Sequence, residues 1–96
     1  RTRRAFALRG IMSSDSSNFR SLMRRADTLR RHDHPHQAWW TGYMRGLRRA
    51  HHGQNFGTDA EHDLYLNAIN DTDQNRAALG RGYRAGLTLT AHEPDE

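Results

Sequence analysis

The stretches TGYMRGL, residues 41–47, and RGYRAGL, residues 81–87, share the pattern Gly-Tyr-x-x-Gly-Leu and lie 40 positions apart. On a helix, glycines four residues apart lie on one face, and each costs about 1 kcal/mol relative to alanine. A close approach of two helix backbones offsets this cost, because small residues at this spacing let helices nearly touch. The pattern therefore predicts two helix-crossing segments with a structural role, carried by Gly42, Tyr43, Gly46, Gly82, Tyr83 and Gly86.

The same repeat also predicts how the helices are connected. The match extends upstream to Ala38 and Ala78, and each copy ends a helix–turn–helix unit of similar length. The simplest arrangement is two αα-hairpins related by a pseudo-twofold axis. In the alternative, the glycines bring a helix close to the backbone of a ligand or a partner.

The composition favours helix over sheet. The 96 residues include no valine and only two isoleucines, and β-branched residues are the ones that sheets prefer. Cysteine is absent, which excludes disulfides and thiolate sites. We expect one all-α domain over residues 1–96, a small bundle of four main helices. Residues 1–12 would add an N-terminal helical segment or arm, and residues 88–96 a frayed acidic tail.

Local signals predict where the helices begin and end. Residues 18–31, NFRSLMRRADTLRR, form the clearest amphipathic pattern, and SSDSS at 13–17 predicts a break before it. HDHP at 32–35 predicts the end of this helix, and Pro35 suits the first position of the next, which runs to a C-cap at Gly53. Two capping-box spacings, Thr58 with Glu61 and Asp71 with Gln74, predict the starts of the last two helices.

Charge is unevenly distributed along the chain. All fifteen basic residues are arginine. Residues 1–52 carry twelve arginines and three acids, a net charge of +9, whereas residues 53–96 carry a net charge of −5. Guanidinium groups suit bidentate contacts with phosphate or carboxylate, although codon usage in a GC-rich genome also explains an arginine-only composition. The basic half can face nucleic acid, an acidic protein, or the acidic half of the same chain or of a second copy, as in a homodimer.

Two groups of arginines predict a partner-binding surface. Arg20, Arg24 and Arg31 line one flank of the apolar face of the helix at 18–31, by helical register. A second group lies opposite the core face of the tryptophan-containing helix, and Trp40 falls at the border between core and surface. Arginine beside an aromatic edge is typical of protein interfaces and of phosphate-binding grooves; solvated helix faces are the alternative. The predicted residues are Arg20, Arg24, Arg31, Trp40, Arg45, Arg48 and Arg49.

Seven histidines raise the question of a metal site. HDHPH at 32–36 alternates histidines, and His51, His52 and His62 could approach one another around the loop at 53–57. Neither spacing fits a specific ligand motif, and histidine near a helix C-terminus is favoured by the helix dipole. TDAEHD at 58–63 combines acids with a histidine but has the composition of an ordinary helix start. We therefore expect no metal, no cofactor and no catalytic residue.

These features indicate a non-enzymatic protein-binding module. Its expected partner is a protein or nucleoprotein complex, and one specific form is a mobile-element-encoded inhibitor or regulator of a bacterial nucleic-acid-processing or antiviral defence complex. The alternative is direct nucleic-acid binding through the arginine-rich face, and a third class is a histidine-based metal-dependent enzyme. No apolar run reaches the roughly 18 residues of a membrane span, and no signal peptide is evident. We expect a cytoplasmic protein without a membrane partner.

Overall fold

The structure, a computed structural model, describes the backbone of residues 2–94 and the side chains of residues 17–53 and 55–94. Four α-helices and no strand are present in this part of the chain, which confirms the predicted all-α bundle. Short 3₁₀ turns precede and follow the second helix, at His34–His36 and Gly53–Asn55. The helices are α1 (Thr2–His32), α2 (Gln37–His52), α3 (Asp59–Ala68) and α4 (Gln74–Gly86).

The glycine repeat forms the centre of the fold, where α2 and α4 run in the same direction with their backbones in contact. A Cβ atom added at Gly42 would overlap the carbonyl oxygen of Leu79, and one added at Gly82 would overlap that of Trp39. The two contacts are equivalent in the 40-residue repeat, because Gly82 corresponds to Gly42 and Leu79 corresponds to Trp39. Gly46 and Gly86 repeat the arrangement one turn later, against the carbonyl oxygens of residues 83 and 43. The predicted close crossing and its pseudo-twofold symmetry are therefore confirmed.

Each central helix carries one antiparallel outer helix. α1 packs on α2, with Phe19 stacked on His51 near the end of α2. α3 packs on α4, with the Tyr65 and Tyr83 rings stacked at 4.7 Å. Gly80 permits this second contact, because a Cβ there would lie 2.6 Å from the carbonyl oxygen of Tyr65. The two αα-hairpins predicted from the repeat are thus α1–α2 and α3–α4.

α1 is longer than predicted, because residues 13–17 do not break it. Serine and aspartate are only moderately poor helix formers, and the segment contains no proline, so its intrinsic cost is small. The predicted arm at 1–12 is therefore, from Thr2 onwards, the first part of one continuous 31-residue helix. Phe19 lies against the last turn of α2, where its ring contacts His51 and His52.

Three of the predicted helix boundaries agree with the structure, including the end of α1 at His32, and two predicted starts differ. The Thr58 hydroxyl accepts a hydrogen bond from the Glu61 backbone N–H at 3.1 Å, and Gly53 ends α2 at a φ of 66°. Asp73, rather than Asp71, caps α4, because its carboxylate accepts from the backbone N–H groups of residues 75 and 76, two and three positions further on. Pro35 lies inside the 3₁₀ turn, so α2 begins two residues later than predicted.

Trp40 belongs to the core and not to the border of core and surface. Its side chain is 1% exposed and packs edge-on against Trp39 and Tyr43. Helical register alone placed it at the edge of the α2 core face, but α2 is covered on two sides, by α4 and by α1. The buried face is consequently wider than a single contact requires, and Trp40, predicted at the border of core and surface, is not accessible to a partner.

The residues after α4 are docked on the bundle. Asn18 and Tyr43 donate hydrogen bonds to the carbonyl oxygens of Leu89 and Thr90, at 3.1 and 2.6 Å. Arg25 pairs with Glu93 at 3.1 Å. The predicted frayed tail is therefore not found over residues 88–94, because side-chain donors of α1 and α2 hold its backbone; residues 95 and 96 lie outside the described part.

Asp33 connects α1 to α2 through its side chain. One carboxylate oxygen accepts a hydrogen bond from the Trp40 indole N–H at 3.0 Å, and the carboxylate also lies 2.9 Å from His36 Nδ1. The Trp40 bond, followed by the His36 bond, lowers the pKa of Asp33 below its ordinary value. The carboxylate thus orients the indole of a fully buried aromatic side chain.

We expect this carboxylate to make stability dependent on pH in the acid range. Because its pKa is lower in the folded than in the unfolded state, its contribution is fully present above the unfolded pKa, near 3.8, and is lost as the pH falls through the folded pKa. Urea unfolding of Asp33→Asn should show a smaller loss of stability between neutral pH and pH values below this range than wild type. Asp63→Asn, which removes an exposed carboxylate of α3, is the control. An unchanged acid dependence in Asp33→Asn would contradict this role.

Candidate partner-binding groove

A groove of about 610 Å³ runs between α1 and the second half of α2. Its apolar floor consists of Met44, which is buried, and of Phe19 and Met23, which are half-buried. Methionine side chains adapt to different partner shapes because they are unbranched and polarisable. The polar lining is almost entirely basic and comprises Arg20, Arg24, Asp27, Arg30, Arg48 and His52.

Two arginines of the rim are available to a partner. Arg20 and Arg24 lie one turn apart on α1, and both are exposed. Neither forms an ion pair with any side chain that the structure describes. Arg48 reaches the groove from α2 and also lies over the Phe56 ring, with its guanidinium carbon 5.9 Å from the ring centroid. A basic rim above an apolar floor can bind a ligand that is both acidic and apolar.

The acid in the groove, Asp27, is neutralised by its neighbours. Its carboxylate oxygens accept hydrogen bonds from Arg30 at 2.9 Å and from Arg31 at 2.6 Å. The Arg30 hydrogen bond is the main cause of a lowered pKa at Asp27, so the carboxylate stays charged and paired. Its negative charge is therefore balanced within α1, and Arg20 and Arg24 determine the field that a partner meets.

The predicted arginine surface is divided by the fold. Arg20, Arg24 and Arg48 come together in the groove, whereas Arg31 is tied to Asp27 and does not line it. Arg45 donates a hydrogen bond from Nε to the Tyr65 hydroxyl at 2.6 Å and so links α2 to α3.

Arg49 has a structural role as well. Its side chain is only 12% exposed, and it pairs with Asp59 at 2.9 Å. The same guanidinium donates to the backbone oxygens of Phe56 and Thr58 in the loop before α3. Arg45 and Arg49 therefore hold the second hairpin against α2, a use of arginine that the helical register of α2 alone does not distinguish from solvent exposure.

Sequence reasoning missed the floor and one side of the groove. Phe19 and Met23 belong to the apolar stripe of α1, which predicts core, and no pattern in the sequence assigns Met44 to a binding surface. Arg30 and His52 were not assigned to the surface at all. The width of the apolar stripe of α1 was the sequence feature that could have indicated this groove. Contact with α2 alone does not cover the full width of the stripe.

Three histidines in the described part of the chain contact aromatic or acidic side chains. His51 stacks on Phe19 with ring centroids 4.0 Å apart, and His62 Nδ1 lies 2.7 Å from the Tyr83 hydroxyl. His36 faces Asp33. Among the side chains that the structure describes, no three histidine, aspartate or glutamate residues converge in a geometry that could hold a metal ion.

The described part of the chain is a four-helix bundle in which the two central helices, α2 and α4, run parallel. Its α1–α2 groove has a basic rim and an apolar floor. None of the helices in the described range has both the length and the apolar character that crossing a membrane requires. Comparison with protein-family models, curated proteins and solved structures gave no match. The functional proposal therefore depends on the groove and its charges.

Proposed function

We propose that this protein is a non-enzymatic binding module whose α1–α2 groove receives an acidic, apolar segment of another protein. The observation that carries the proposal is the combination of exposed Arg20 and Arg24 with the apolar floor at Met23 and Met44. Interface energy is concentrated in a few arginine and aromatic contacts around a desolvated centre. An amphipathic acidic helix satisfies both parts, because its apolar side chains reach the floor while its carboxylates meet the rim.

A regulator of a nucleic-acid-processing complex, including a bacterial defence complex, is one specific form of this proposal. The arginine-only basicity supports it, since guanidinium groups pair equally well with the acidic surfaces of proteins and with phosphate in a nucleoprotein assembly. Direct binding of nucleic acid is the second candidate. The exposed arginines of the groove favour it, whereas the apolar methionine floor favours a protein ligand.

Site-specific photo-crosslinking tests which surface meets the partner. A benzophenone side chain placed at position 24 should capture a protein from bacterial lysate, and the same group at position 84 should not. Arg84 is the matched control because it is an exposed arginine on α4, outside the groove. Equal labelling from both positions would contradict the groove as the binding site.

The charge of the rim should control capture without affecting folding. We expect Arg20→Glu with Arg24→Glu to reduce partner capture about tenfold or more, because two rim charges change sign. Surface substitutions of this kind leave the free energy of unfolding within about 0.5 kcal/mol. Arg81→Glu with Arg84→Glu changes net charge equally on α4 and should bind normally.

Gel shifts at several salt concentrations separate the two candidates. Phosphate binding weakens steeply with salt, because it releases condensed counterions. DNA or RNA shifted by wild type and lost in the Arg20/Arg24 double variant would favour direct nucleic-acid binding over a protein partner. A partner captured equally by both charge-reversal variants would contradict the proposal.

A further inference from the structure

Residues 88–94, which we call the tail, hold α1 at two points. Asn18 donates a hydrogen bond to the carbonyl oxygen of Leu89 at 3.1 Å, and Arg25 donates one to the carbonyl oxygen of His92 at 3.3 Å. Asn18 and Arg25 are about two helical turns apart, so they lie on the same face of α1. Since α1 otherwise packs mainly on α2, the tail is its second neighbour.

Arg25 joins the tail to the core of α2. Its guanidinium pairs with Glu93 at 3.1 Å, and its guanidinium carbon lies 5.4 Å from the centroid of the Trp40 ring. The tail is also attached directly to α2, because the buried Tyr43 donates a hydrogen bond to the carbonyl oxygen of Thr90 at 2.6 Å. The tail therefore bridges the two helices that form the α1–α2 groove.

The start of the tail is held in a backbone conformation that leucine rarely adopts. Leu89 has a φ of 55°, in the left-handed region. Its side chain packs against the buried core, and its carbonyl oxygen accepts the hydrogen bond from Asn18. Strain of this kind persists only where the surrounding contacts fix the conformation. The tail is therefore seated on the bundle by specific contacts.

On α1, the tail and the groove lie on opposite flanks of the core stripe. Leu22 and Ala26 form the buried part of this stripe. Helical register places Asn18 and Arg25 on one side of this pair and the groove residue Met23 on the other. A roll of α1 about its buried stripe would move Met23 relative to α2, and the tail restrains that roll from the opposite flank.

We propose that the tail is a clasp, centred on Arg25, that fixes the position of α1 on α2 and thereby the width of the α1–α2 groove. Arg25 does not line the groove, so it acts as a positioning residue. The closed clasp holds the apolar floor and the arginine rim in place, and such pre-organisation lowers the cost of binding a partner. This effect on a partner rests on the function proposed above, whereas the effect on α1 does not.

Amide hydrogen exchange of the full chain tests the clasp without a partner. Arg25→Glu should speed exchange in residues 18–29 of α1 about tenfold relative to residues 77–86 of α4, because a charge-assisted hydrogen bond and an ion pair are lost. Arg76→Glu reverses the arginine of another surface ion pair, with Asp71 at 3.6 Å, and should leave this ratio unchanged. An equal rise in both helices would overturn the clasp, since only global stability would have fallen.

Reversing the charge at position 93 separates the ion pair from the packing of Arg25. The double variant Arg25→Glu with Glu93→Arg again pairs opposite charges, and it should recover part of the slow exchange in α1. Recovery is incomplete because the glutamate cannot donate a hydrogen bond to the carbonyl oxygen of His92. No recovery would mean that Arg25 acts through its contact with Trp40 alone, which would overturn the role of the tail.

Distances between spin labels test whether the clasp sets the geometry of the groove. The chain contains no cysteine, so labels can be attached at two introduced cysteines. Ser21→Cys on α1 with Thr41→Cys on α2, both at exposed positions, should give a narrow distance distribution that Arg25→Glu broadens or shifts. Thr41→Cys with Asn67→Cys on α3 omits α1 and should not respond to Arg25→Glu. An unchanged distribution for the α1–α2 pair would overturn the proposal.

Capture at the groove connects the clasp to binding. With the benzophenone group at position 24, Arg25→Glu should lower partner capture about fivefold or more. Arg76→Glu changes the net charge equally and should capture as wild type does. Unreduced capture together with a broadened distance distribution would overturn the link between clasp and groove. A wild type that captures no partner would contradict the proposed function instead, and the exchange and distance measurements would still decide whether the clasp exists.

Discussion

Replacing Trp40 by alanine should lower the free energy of unfolding by about 3–5 kcal/mol, the range for truncating a large buried aromatic side chain. The ring is 1% exposed and contacts Trp39 and Tyr43, so its removal leaves a cavity that the three packed helices cannot close. It also leaves the Asp33 carboxylate without the indole donor. Thermal and urea denaturation monitored by circular dichroism measure the loss.

Trp40→Phe is the matched variant, because it keeps an aromatic ring in the core but removes the indole N–H. We expect it to fall between wild type and Trp40→Ala. Both substitutions remove the indole N–H, so each should show coupling to Asp33→Asn in a double-mutant cycle. A Trp40→Ala variant that melts as wild type does would mean that the side chain is not part of the core.

Substituting the crossing glycines should produce the second large effect. Gly46→Leu and Gly86→Leu should each destabilise by about 3 kcal/mol, the upper part of the range for overpacking. The upper end applies because the first added atom meets backbone, the carbonyl oxygens of Tyr83 and Tyr43, which cannot rotate away as a side chain can. Even Gly82→Ala should be destabilising, although alanine is the better helix former by about 1 kcal/mol.

The neighbouring position provides the control for helix propensity. Arg81 is exposed and lies within α4, so Arg81→Gly should lose about 1 kcal/mol through propensity alone. Gly82→Ala removes a glycine from α4, whereas Arg81→Gly introduces one. Both should lower the free energy of unfolding only if the steric contact at Gly82 outweighs helix propensity there. A melting temperature raised by Gly82→Ala would contradict the close crossing of α2 and α4.

Much of the fold can be read from local pattern. The i, i+4 glycines with their tyrosines predicted the central crossing and the pseudo-twofold hairpins, because a costly glycine pair on a helix is explained by close backbone approach. The Thr58 cap and the end of α2 at Gly53 were equally readable, since each depends on residues within one turn. Continuity of α1 through SSDSS was not, because the difference between a break and a helix there is a sum of small propensities.

The candidate site depended on tertiary structure to a greater degree. The sequence by itself determined an all-α fold with a basic first half, an acidic second half, and arginines in place of every lysine. Tertiary structure alone decided which charges remain available. Arg49 is neutralised by Asp59, ten positions away along the chain, whereas Arg20 and Arg24 stay exposed beside an apolar floor. Trp40 shows the same division, because helical register fixes the direction of a side chain from its own helix, but burial depends on how many other helices lie in that direction.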